Sequence, residues 1–266
     1  MNKTKKQDLL RLAIKAAVEA GEEIMNVYST EFEVETKEDN SPLTLADKNA
    51  HECIVDVLGL SDIPVLSEEG KETPYKERKK WNYFWLVDPL DGTKEFVKKN
   101  GEFTVNIALI RENTPVMGVI YVPVSKTVYF AAAGLGAYKF EGELNEDILK
   151  NATALPFKEK RSDYTVIASR THSSPETQAL IKEIENKHDS VELLTAGSAL
   201  KFCLLAEGAA DIYPRFAPTM EWDSAAGHSI VNEIGGVVID YTTKEEMTYN
   251  KENLLNNWFT AFLKKN

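Results

Sequence analysis

Cysteine is scarce in this chain of 266 residues, and long apolar runs are missing from it. Only Cys53 and Cys203 occur and neither lies in a CxxC pair, so redox and thiolate chemistry are not expected. No stretch of about 18 apolar residues is present, which predicts that the chain has no membrane span. The amino end lacks a signal-peptide core and predicts a cytoplasmic protein. Its three lysines in the first six residues leave weak peripheral attachment to the inner membrane open.

Positive charge is also in short supply. The chain has 31 lysines and arginines against 42 acidic residues, which gives a net charge of −11. Such a protein repels a polyanion unless its basic residues gather on one face, so a nucleic acid polymer is not expected as a partner. The hydrophobic content of 43 % is ordinary for a protein with a substantial core and permits a globular enzyme. The composition leaves a monomer and a homodimer open.

Hydrophobic periodicity predicts an α/β chain, α+β in the broader sense, with helices flanking sheets. Five helices are predicted, near Lys6–Tyr28, Thr44–Leu58, Thr177–Lys187, Ser198–Glu207 and Asp223–Ile234. Nine strands are predicted, near Ile63–Leu66, Tyr83–Val87, Thr104–Arg111, Val116–Tyr121, Val128–Ala132, Tyr164–Ser169, Val191–Thr195, Ala210–Tyr213 and Gly236–Asp240. A polar stretch at 141–160 interrupts the strand pattern. It predicts two domains, residues 1–155 and 156–266.

The segment FWLVDPLDGTKEF, residues 84–96, carries the most chemical information. An apolar strand delivers Asp88 at its end, and Pro89 predicts that the strand stops there and turns. Asp91 follows three residues after Asp88. Gly92 then permits a tight backbone path, and Thr93 presents a hydroxyl beside amides that could open a helix.

These residue types suit a metal ion and a phosphate. Magnesium prefers about six oxygen ligands and keeps several waters, so a few carboxylates and the Leu90 carbonyl suffice. Amides that open a helix after Gly92 would meet the phosphate. The alternative for an isolated DPLDGT is a turn that ends a strand, since Asp, Pro and Gly all favour turns. An aspartyl nucleophile of the DxDGT type is disfavoured because Asp88 and Asp91 are one residue further apart.

Two other segments place acids where α/β proteins gather their ligands. Glu68 and Glu69, in LSEEG, follow the short apolar run IPVL at a strand end. Asp223, in EWDSAAG, precedes small residues that can start a closely packed helix. The alternatives are exposed loop acids for LSEEG and a helix-capping aspartate for Asp223. Capping and metal binding are not exclusive.

Four segments together resemble a known family. DNSPLTLAD (39–47), LSEEG (66–70), WLVDPLDGT (85–93) and EWDSAAG (221–227) are similar in content and order to signatures of the lithium-sensitive, magnesium-dependent phosphatases. That family includes inositol monophosphatase, fructose-1,6-bisphosphatase and the 3'(2'),5'-bisphosphate nucleotidases. The resemblance implies a layered α/β/α/β/α sandwich of the inositol monophosphatase and fructose-1,6-bisphosphatase type. It also implies inhibition by Li⁺.

The resemblance further implies the roles of individual residues. Two or three Mg²⁺ ions would be bound by Glu68, Asp88, the Leu90 carbonyl, Asp91 and Asp223. Most of these ligands lie in residues 1–155, and Asp223 in residues 156–266 would complete the site. Asp47 and Thr93 would hold and deprotonate the attacking water. No covalent phosphoenzyme is implied.

The substrate follows from the second half of the chain, where residues 196–223 resemble bacterial bisphosphate nucleotidases more than inositol phosphatases. The expected reaction removes the 3'-phosphate of 3'-phosphoadenosine 5'-phosphate and leaves AMP. Substrate contacts are expected from Glu68, Leu90, Asp91, Gly92, Thr93, Ser169, His172, Gly197, Lys201 and Asp223. Arg215 is a further candidate partner for the retained phosphate, because an anion without a metal beside it needs fixed positive charge.

Alternatives remain open for these residues and for the function. Lys201 could instead be a solvated lysine on a helix, and His172 merely an exposed loop residue. The rival enzyme is an inositol-1-phosphate phosphatase with the same metal chemistry and a different pocket. The rival outside enzymology is a metal-dependent nucleotide-binding regulator without turnover.

Overall fold

The computed structural model describes residues 1–36, 42–143, 147–157, 161–168 and 174–264. Within these ranges the helices are α1 (Lys3–Tyr28), α2 (Leu45–Gly59), α3 (Tyr75–Arg78), α4 (Thr93–Val97), α5 (Ile148–Asn151), α6 (Pro175–Glu185), α7 (Leu200–Ala206) and α8 (Glu221–Glu233). A small two-stranded sheet pairs β1 (Val34–Thr36) with β2 (Pro42–Thr44). Every helix predicted from the sequence is present, with ends that differ from the predicted ones by at most three residues.

The larger sheet has seven strands, whose order is that of the chain. They are β3 (Val65–Ser67), β4 (Tyr83–Asp91), β5 (Thr104–Arg111), β6 (Thr114–Val122), β7 (Thr127–Ala132), β8 (Gly136–Glu141) and β9 (Thr153–Ala154). Strand β3 is parallel to β4, and all later neighbours are antiparallel. Strands β5 to β8 are joined by short turns, because antiparallel neighbours need only a turn between them.

Both faces of the seven-stranded sheet are buried. On β4, Trp85 and Val87 face a core shared with α1 and α2, whereas Phe84 and Leu86 face a second core shared with α7 and α8. Successive side chains in a strand point to opposite faces, so one apolar strand can serve two cores. The run of apolar residues without a polar alternation in FWLV is the sequence signature of this two-sided burial.

The second sheet has five strands in the order β11-β10-β12-β14-β13. They are β10 (Tyr164–Ala168), β11 (Val191–Thr195), β12 (Ile212–Arg215), β13 (Gly236–Asp240) and β14 (Phe259–Leu263). Residues of β13 and β14 join the second core, so α7 and α8 lie between the two sheets. Strands β10 and β11 are parallel and their crossover runs through α6, which adds the outer helix layer. The α/β/α/β/α sandwich predicted from the sequence is confirmed.

The prediction that the strand stops at Asp88 is wrong. Strand β4 continues to Asp91, with a register shift in which Asp88 faces Asn106 and Asp91 faces Thr104. Three steps on β4 therefore oppose two on β5, which is a β-bulge. Pro89 lies inside the bulge, where its missing N–H costs no ladder hydrogen bond.

Several short elements were not predicted. The small sheet of β1 and β2, the helices α3 and α5, and the strands β8, β9 and β14 all fall outside the predicted segments, whereas α4 begins at Thr93, where the sequence predicted that a helix could open. Most are too short to show a period. Strand β14 was missed because Phe259–Leu263 is a brief apolar run near the end of the chain, and its place between β12 and β13 depends on long-range pairing.

Helix α8 approaches the seven-stranded sheet unusually closely. A Cβ atom at Gly118 on β6 would lie 2.2 Å from the backbone oxygen of Ala226 on α8. A Cβ at Gly227 would meet the Phe202 ring at 2.2 Å. Glycine at both positions lets the helix sink between β6 and α7. This contact fixes the depth at which the amino end of α8, and with it Asp223, reaches the site.

Candidate active site

The β-bulge places two carboxylates and a turn at one end of the larger sheet. Asp88 is 2 % exposed, and its Oδ1 accepts a hydrogen bond of 3.1 Å from the Leu90 backbone N–H. Gly92 follows with φ +91°, a left-handed conformation that favours glycine. Helix α4 then begins at Thr93. The segment thus turns sharply enough to bring the Thr93 hydroxyl within 3.3 Å of the Leu90 carbonyl oxygen.

Four acids that the sequence proposed as ligands lie close enough to repel one another. Burial raises the pKa of Asp88 well above its usual range, and the nearby carboxylates of Glu68, Asp91 and Asp223 raise it further. The pKa of Asp223 is raised in the same way, first by burial and then by Asp91 and Glu68. A concentration of negative charge without an equal number of adjacent cations is the environment that attracts a bound cation.

Each distant acid is brought in by its own element. Glu68 follows β3 directly, and its backbone N–H donates to the Val87 carbonyl at 3.1 Å, which holds it beside β4. Asp223 lies in the first turn of α8, where its Oδ2 accepts a hydrogen bond of 2.9 Å from the Met220 N–H. Asp223 therefore does cap its helix. The cap uses only Oδ2, one of the two carboxylate oxygens.

The donors fit magnesium in type. They are carboxylate and carbonyl oxygens, the ligands that Mg²⁺ prefers. Among the described residues, no three His, Cys, Asp or Glu side chains stand close enough to hold an ion by themselves. Magnesium usually takes only one or two carboxylates per ion and completes its shell with water or other oxygens. The arrangement therefore suits ions that share the carboxylates and use the Leu90 carbonyl.

Asp47 and Thr93 meet across 46 residues of sequence. Thr93 Oγ1 lies 3.1 Å from Asp47 Oδ1 and donates its hydrogen there or to the Leu90 carbonyl. The other oxygen, Oδ2, accepts hydrogen bonds of 2.7 Å from both the N–H and the hydroxyl of Thr44. Asp47 is 2 % exposed, and burial raises its pKa above the usual value. The structure thus holds a buried carboxylate against a hydroxyl at the edge of the carboxylate cluster.

A cavity of about 430 Å³ opens next to this cluster. Its walls include five of the predicted residues together with Arg215, namely Asp91, Gly92, Gly197, Lys201, Arg215 and Asp223. The predicted contacts Glu68, Leu90 and Thr93 do not line this cavity, and Ser169 and His172 lie outside the described residues. The cavity is large enough for a ligand of nucleotide size.

Lys201 is not the solvated lysine of the alternative interpretation. Its side chain is 7 % exposed, and Nζ donates a hydrogen bond of 2.9 Å to the Ser198 carbonyl. The pKa of Lys201 is lowered to about 8, chiefly by burial and also by the positive charge of Arg215, against the opposing effect of Asp91. A buried ammonium group beside a second cation is poised to gain a nearby anion.

Residues that the sequence did not single out complete the cavity wall. The loop at 196–198 is fastened by Glu102, whose Oε2 accepts a hydrogen bond of 2.8 Å from the Gly197 N–H. Ser198 Oγ donates to Asp91 Oδ2 at 2.6 Å. Tyr213 lies under Lys201, with Nζ 5.8 Å from the ring centroid. The only local signal for this loop was the Gly197-Ser198 dipeptide, which marks a turn and says nothing of its partners.

A sequence profile of the inositol monophosphatase family matches residues 5–263 of the chain. The 3'(2'),5'-bisphosphate nucleotidase CysQ of Salmonella typhimurium is 43 % identical over 248 residues, 89 % of this chain and 95 % of that protein. The same nucleotidase from Escherichia coli K12 is 43 % identical over 244 residues, 90 % of this chain and 94 % of that protein. Among solved structures, CysQ from Bacteroides thetaiotaomicron, described as a bacterial member of the inositol monophosphatase family, superposes over 100 % of both chains with a TM-score of 0.91 and 48 % identity.

Proposed function

The chain belongs to the inositol monophosphatase family, and from that premise we propose that it is a Mg²⁺-dependent 3'(2'),5'-bisphosphate nucleotidase. It hydrolyses the 3'-phosphate of 3'-phosphoadenosine 5'-phosphate and releases AMP and phosphate. The names of the relatives that cover most of the chain support the substrate class. The single structural observation that carries the proposal is the convergence of Glu68, Asp88, Asp91 and Asp223, of which Asp91 and Asp223 line the cavity.

The carboxylate cluster is the proposed metal site. Two or three Mg²⁺ ions, when bound there, would screen the phosphoryl charge, activate water and stabilise the leaving oxygen. The protein's own part is to hold these oxygens in place. The Leu90 N–H fixes Asp88, and the Met220 N–H fixes Asp223, so neither carboxylate has to reorganise during the reaction.

Asp47 and Thr93 are the proposed proton acceptors. The attacking water donates a hydrogen bond to Thr93 Oγ1, and the threonine hydrogen passes towards Asp47 Oδ1 at 3.1 Å. The water oxygen then forms a bond to phosphorus while the bond to the 3'-oxygen breaks, and that oxygen takes up a proton from solvent water. The two hydrogen bonds from Thr44 keep Asp47 Oδ2 occupied and leave Oδ1 for this task.

Lys201 and Arg215 are the proposed partners of the phosphate that the product retains. Both line the cavity together with Gly197. The Arg215 Nε is buried and has no hydrogen-bond partner within the part of the chain that the structure describes, so an anion at this wall would satisfy it. A local pair of cations also explains how a chain of charge −11 accepts a small anion.

The test is phosphate release from 3'-phosphoadenosine 5'-phosphate and from inositol-1-phosphate, each assayed with Mg²⁺ and with EDTA. We expect release from the nucleotide that requires Mg²⁺ and is suppressed by Li⁺. A tenfold or greater preference for inositol-1-phosphate would overturn the substrate assignment and keep the metal site. Binding of both ligands without release from either would favour the regulator that lacks turnover.

A further inference from the structure

Asp91 belongs to a closed ring of polar contacts with three neutral side chains. Its Oδ2 lies 2.6 Å from Ser198 Oγ and 3.2 Å from Asn106 Nδ2, and both of these groups donate to it. Thr104 Oγ1 closes the ring, at 2.6 Å from Ser198 Oγ and 2.9 Å from Asn106 Oδ1. Because Ser198 gives its hydrogen to Asp91, Thr104 donates its single hydrogen to one of these two oxygens. The ring spans the bulge of β4, the start of β5 and the loop at 196–198.

Two members of the ring are sealed from the cavity. Thr104 is 0 % exposed and Asn106 is 1 % exposed, so neither side chain is accessible to a bound nucleotide. Both belong to β5 and face the bulge of β4. Polar groups in a buried, connected network rigidify one another. Because the three partners are uncharged, they leave the negative charge of Asp91 uncompensated and chiefly fix its orientation.

Ser198 adopts a conformation that serine rarely has. Its φ is +51°, in the left-handed region where glycine is favoured and where other residues store strain. A glycine would relieve that strain and lose the hydroxyl that reaches Asp91. The contact joins residues 107 positions apart in sequence. The strained backbone thus keeps a hydroxyl of the second half of the chain on a carboxylate of the first half.

We propose that Ser198, Thr104 and Asn106 are positioning residues, which hold the Asp91 carboxylate in the orientation that binds metal and link it to the cavity wall. The inference rests on the proposed function, since it concerns a ligand of the proposed magnesium site. Outer partners that orient metal ligands typically contribute about 10- to 100-fold to metal affinity. The ring predicts an effect of that size from Thr104 and Asn106, which are sealed from the cavity.

Thr104→Val tests the ring, because it removes the hydroxyl and keeps the shape of a buried side chain. We expect its Mg²⁺ dissociation constant, measured by calorimetry without substrate, to rise about tenfold. Thr104→Ser keeps the hydroxyl and should bind Mg²⁺ nearly as the wild type does. The matched control is Thr127→Val, which removes a buried hydroxyl of the same sheet that hydrogen-bonds with Ser125. It should leave Mg²⁺ binding unchanged.

Ser198→Gly separates positioning from stability. Relief of the positive φ should leave the melting temperature equal or higher, while Mg²⁺ affinity falls as it does in Thr104→Val. The double variant, Thr104→Val with Ser198→Gly, should lose less Mg²⁺ affinity than the two single losses combined, because members of one network are coupled.

The outcomes distinguish a failure of the positioning role from a failure of the proposed function. Thr104→Val that melts earlier yet binds Mg²⁺ as tightly as the wild type would show a purely structural role and overturn the inference. Additive losses in the double variant would also contradict the ring. A wild-type protein that binds no Mg²⁺ and hydrolyses neither phosphate would instead overturn the proposed function.

Discussion

At the scale of single residues, the site holds carboxylates that repel one another and fixes each by a hydrogen bond. Asp88 and Asp223 carry raised pKa values because they are buried among other acids. Each nevertheless keeps a backbone N–H on one of its oxygens. Like charges held together in a protein interior destabilise it unless a cation joins them. The free energy of folding should therefore respond to any change in this cluster.

Asp88→Asn is expected to separate stability from activity. The amide removes a charge that repels three carboxylates and retains an oxygen for the Leu90 N–H. The melting temperature in EDTA should rise, while kcat/KM should fall by at least about a hundredfold, because metal-based charge stabilisation amounts to several kcal/mol. Differential scanning calorimetry and phosphate release check the two effects. Asp62→Asn, an exposed carboxylate, is the control; a lower melting temperature for Asp88→Asn would contradict the repulsion.

Thr93 and Asp47 give a prediction about proton transfer. Thr93→Val should lower kcat by about 10²- to 10⁴-fold, the usual contribution of acid–base catalysis, whereas Thr93→Ser should retain most of the rate. Asp47 accepts a proton only when it is ionised, and burial raises its pKa above 3.8. The rate should therefore fall as acid protonates Asp47, and the midpoint should lie above 3.8. A pH–rate profile checks this, and equal rates for the valine and serine variants would exclude the role.

At the scale of elements, the site depends on how α8 meets the larger sheet. The amino end of α8 carries Asp223, and its middle rests on β6 through Gly118 and Ala226. The bulge in β4 brings Asp88 and Asp91 to the same edge. A shift of α8 away from β6 would therefore move Asp223 relative to the other predicted ligands.

Gly118→Ala tests this packing. The new Cβ would lie 2.2 Å from the Ala226 oxygen, and overpacking of this kind costs about 1–3 kcal/mol or more. Both the unfolding free energy and the Mg²⁺ affinity should fall. The matched control is Gly59→Ala at the end of α2, where nothing lies within 4 Å of the added Cβ. That change should be neutral or stabilising by up to about 1 kcal/mol. Unfolding in urea measures the free energy for both variants, and calorimetry measures Mg²⁺ affinity. Equal effects of the two substitutions would refute the close contact.

At the scale of the whole molecule, buried polar groups join the layers. Glu207 at the end of α7 is 4 % exposed and accepts hydrogen bonds from Tyr129 at 2.7 Å and Lys139 at 2.9 Å, which ties the larger sheet to that helix. His228 on α8 is fully buried between Tyr249 and Glu246, each 3.0 Å from one ring nitrogen. It ties α8 to the segment between β13 and β14.

Among the described residues, no helix is long and apolar enough to cross a membrane.

His228 predicts a loss of stability in mild acid. Burial lowers its pKa below the usual 6.5, against the opposing effect of Glu246. The unfolded chain therefore binds a proton below about pH 6.5 that the folded protein resists. Its contribution to stability is present above that pH and declines as the pH falls. Urea unfolding from pH 8 to 5 measures the slope, which should be shallower in His228→Gln; an unchanged slope would assign it to other groups.

Local sequence determined much of this protein. Periods of about 3.6 and 2 residues located every long helix and most strands, because those periods arise between neighbours in the chain. The positions of two acids were equally readable, since Asp91 ends β4 and Asp223 lies in the first turn of α8. Resemblance to a family then supplied the fold and the class of reaction, both of which the comparisons confirm.

Tertiary structure decided the rest, for a physical reason. The bulge that carries β4 past Pro89 depends on its pairing with β5. The contact between Asp47 and Thr93 and the ring around Asp91 join residues 46 and 107 positions apart, and no period of the sequence encodes such distances. Burial of Lys201 depends on what packs around its helix. The sequence determined which groups are present, and packing between distant segments determined which of them touch.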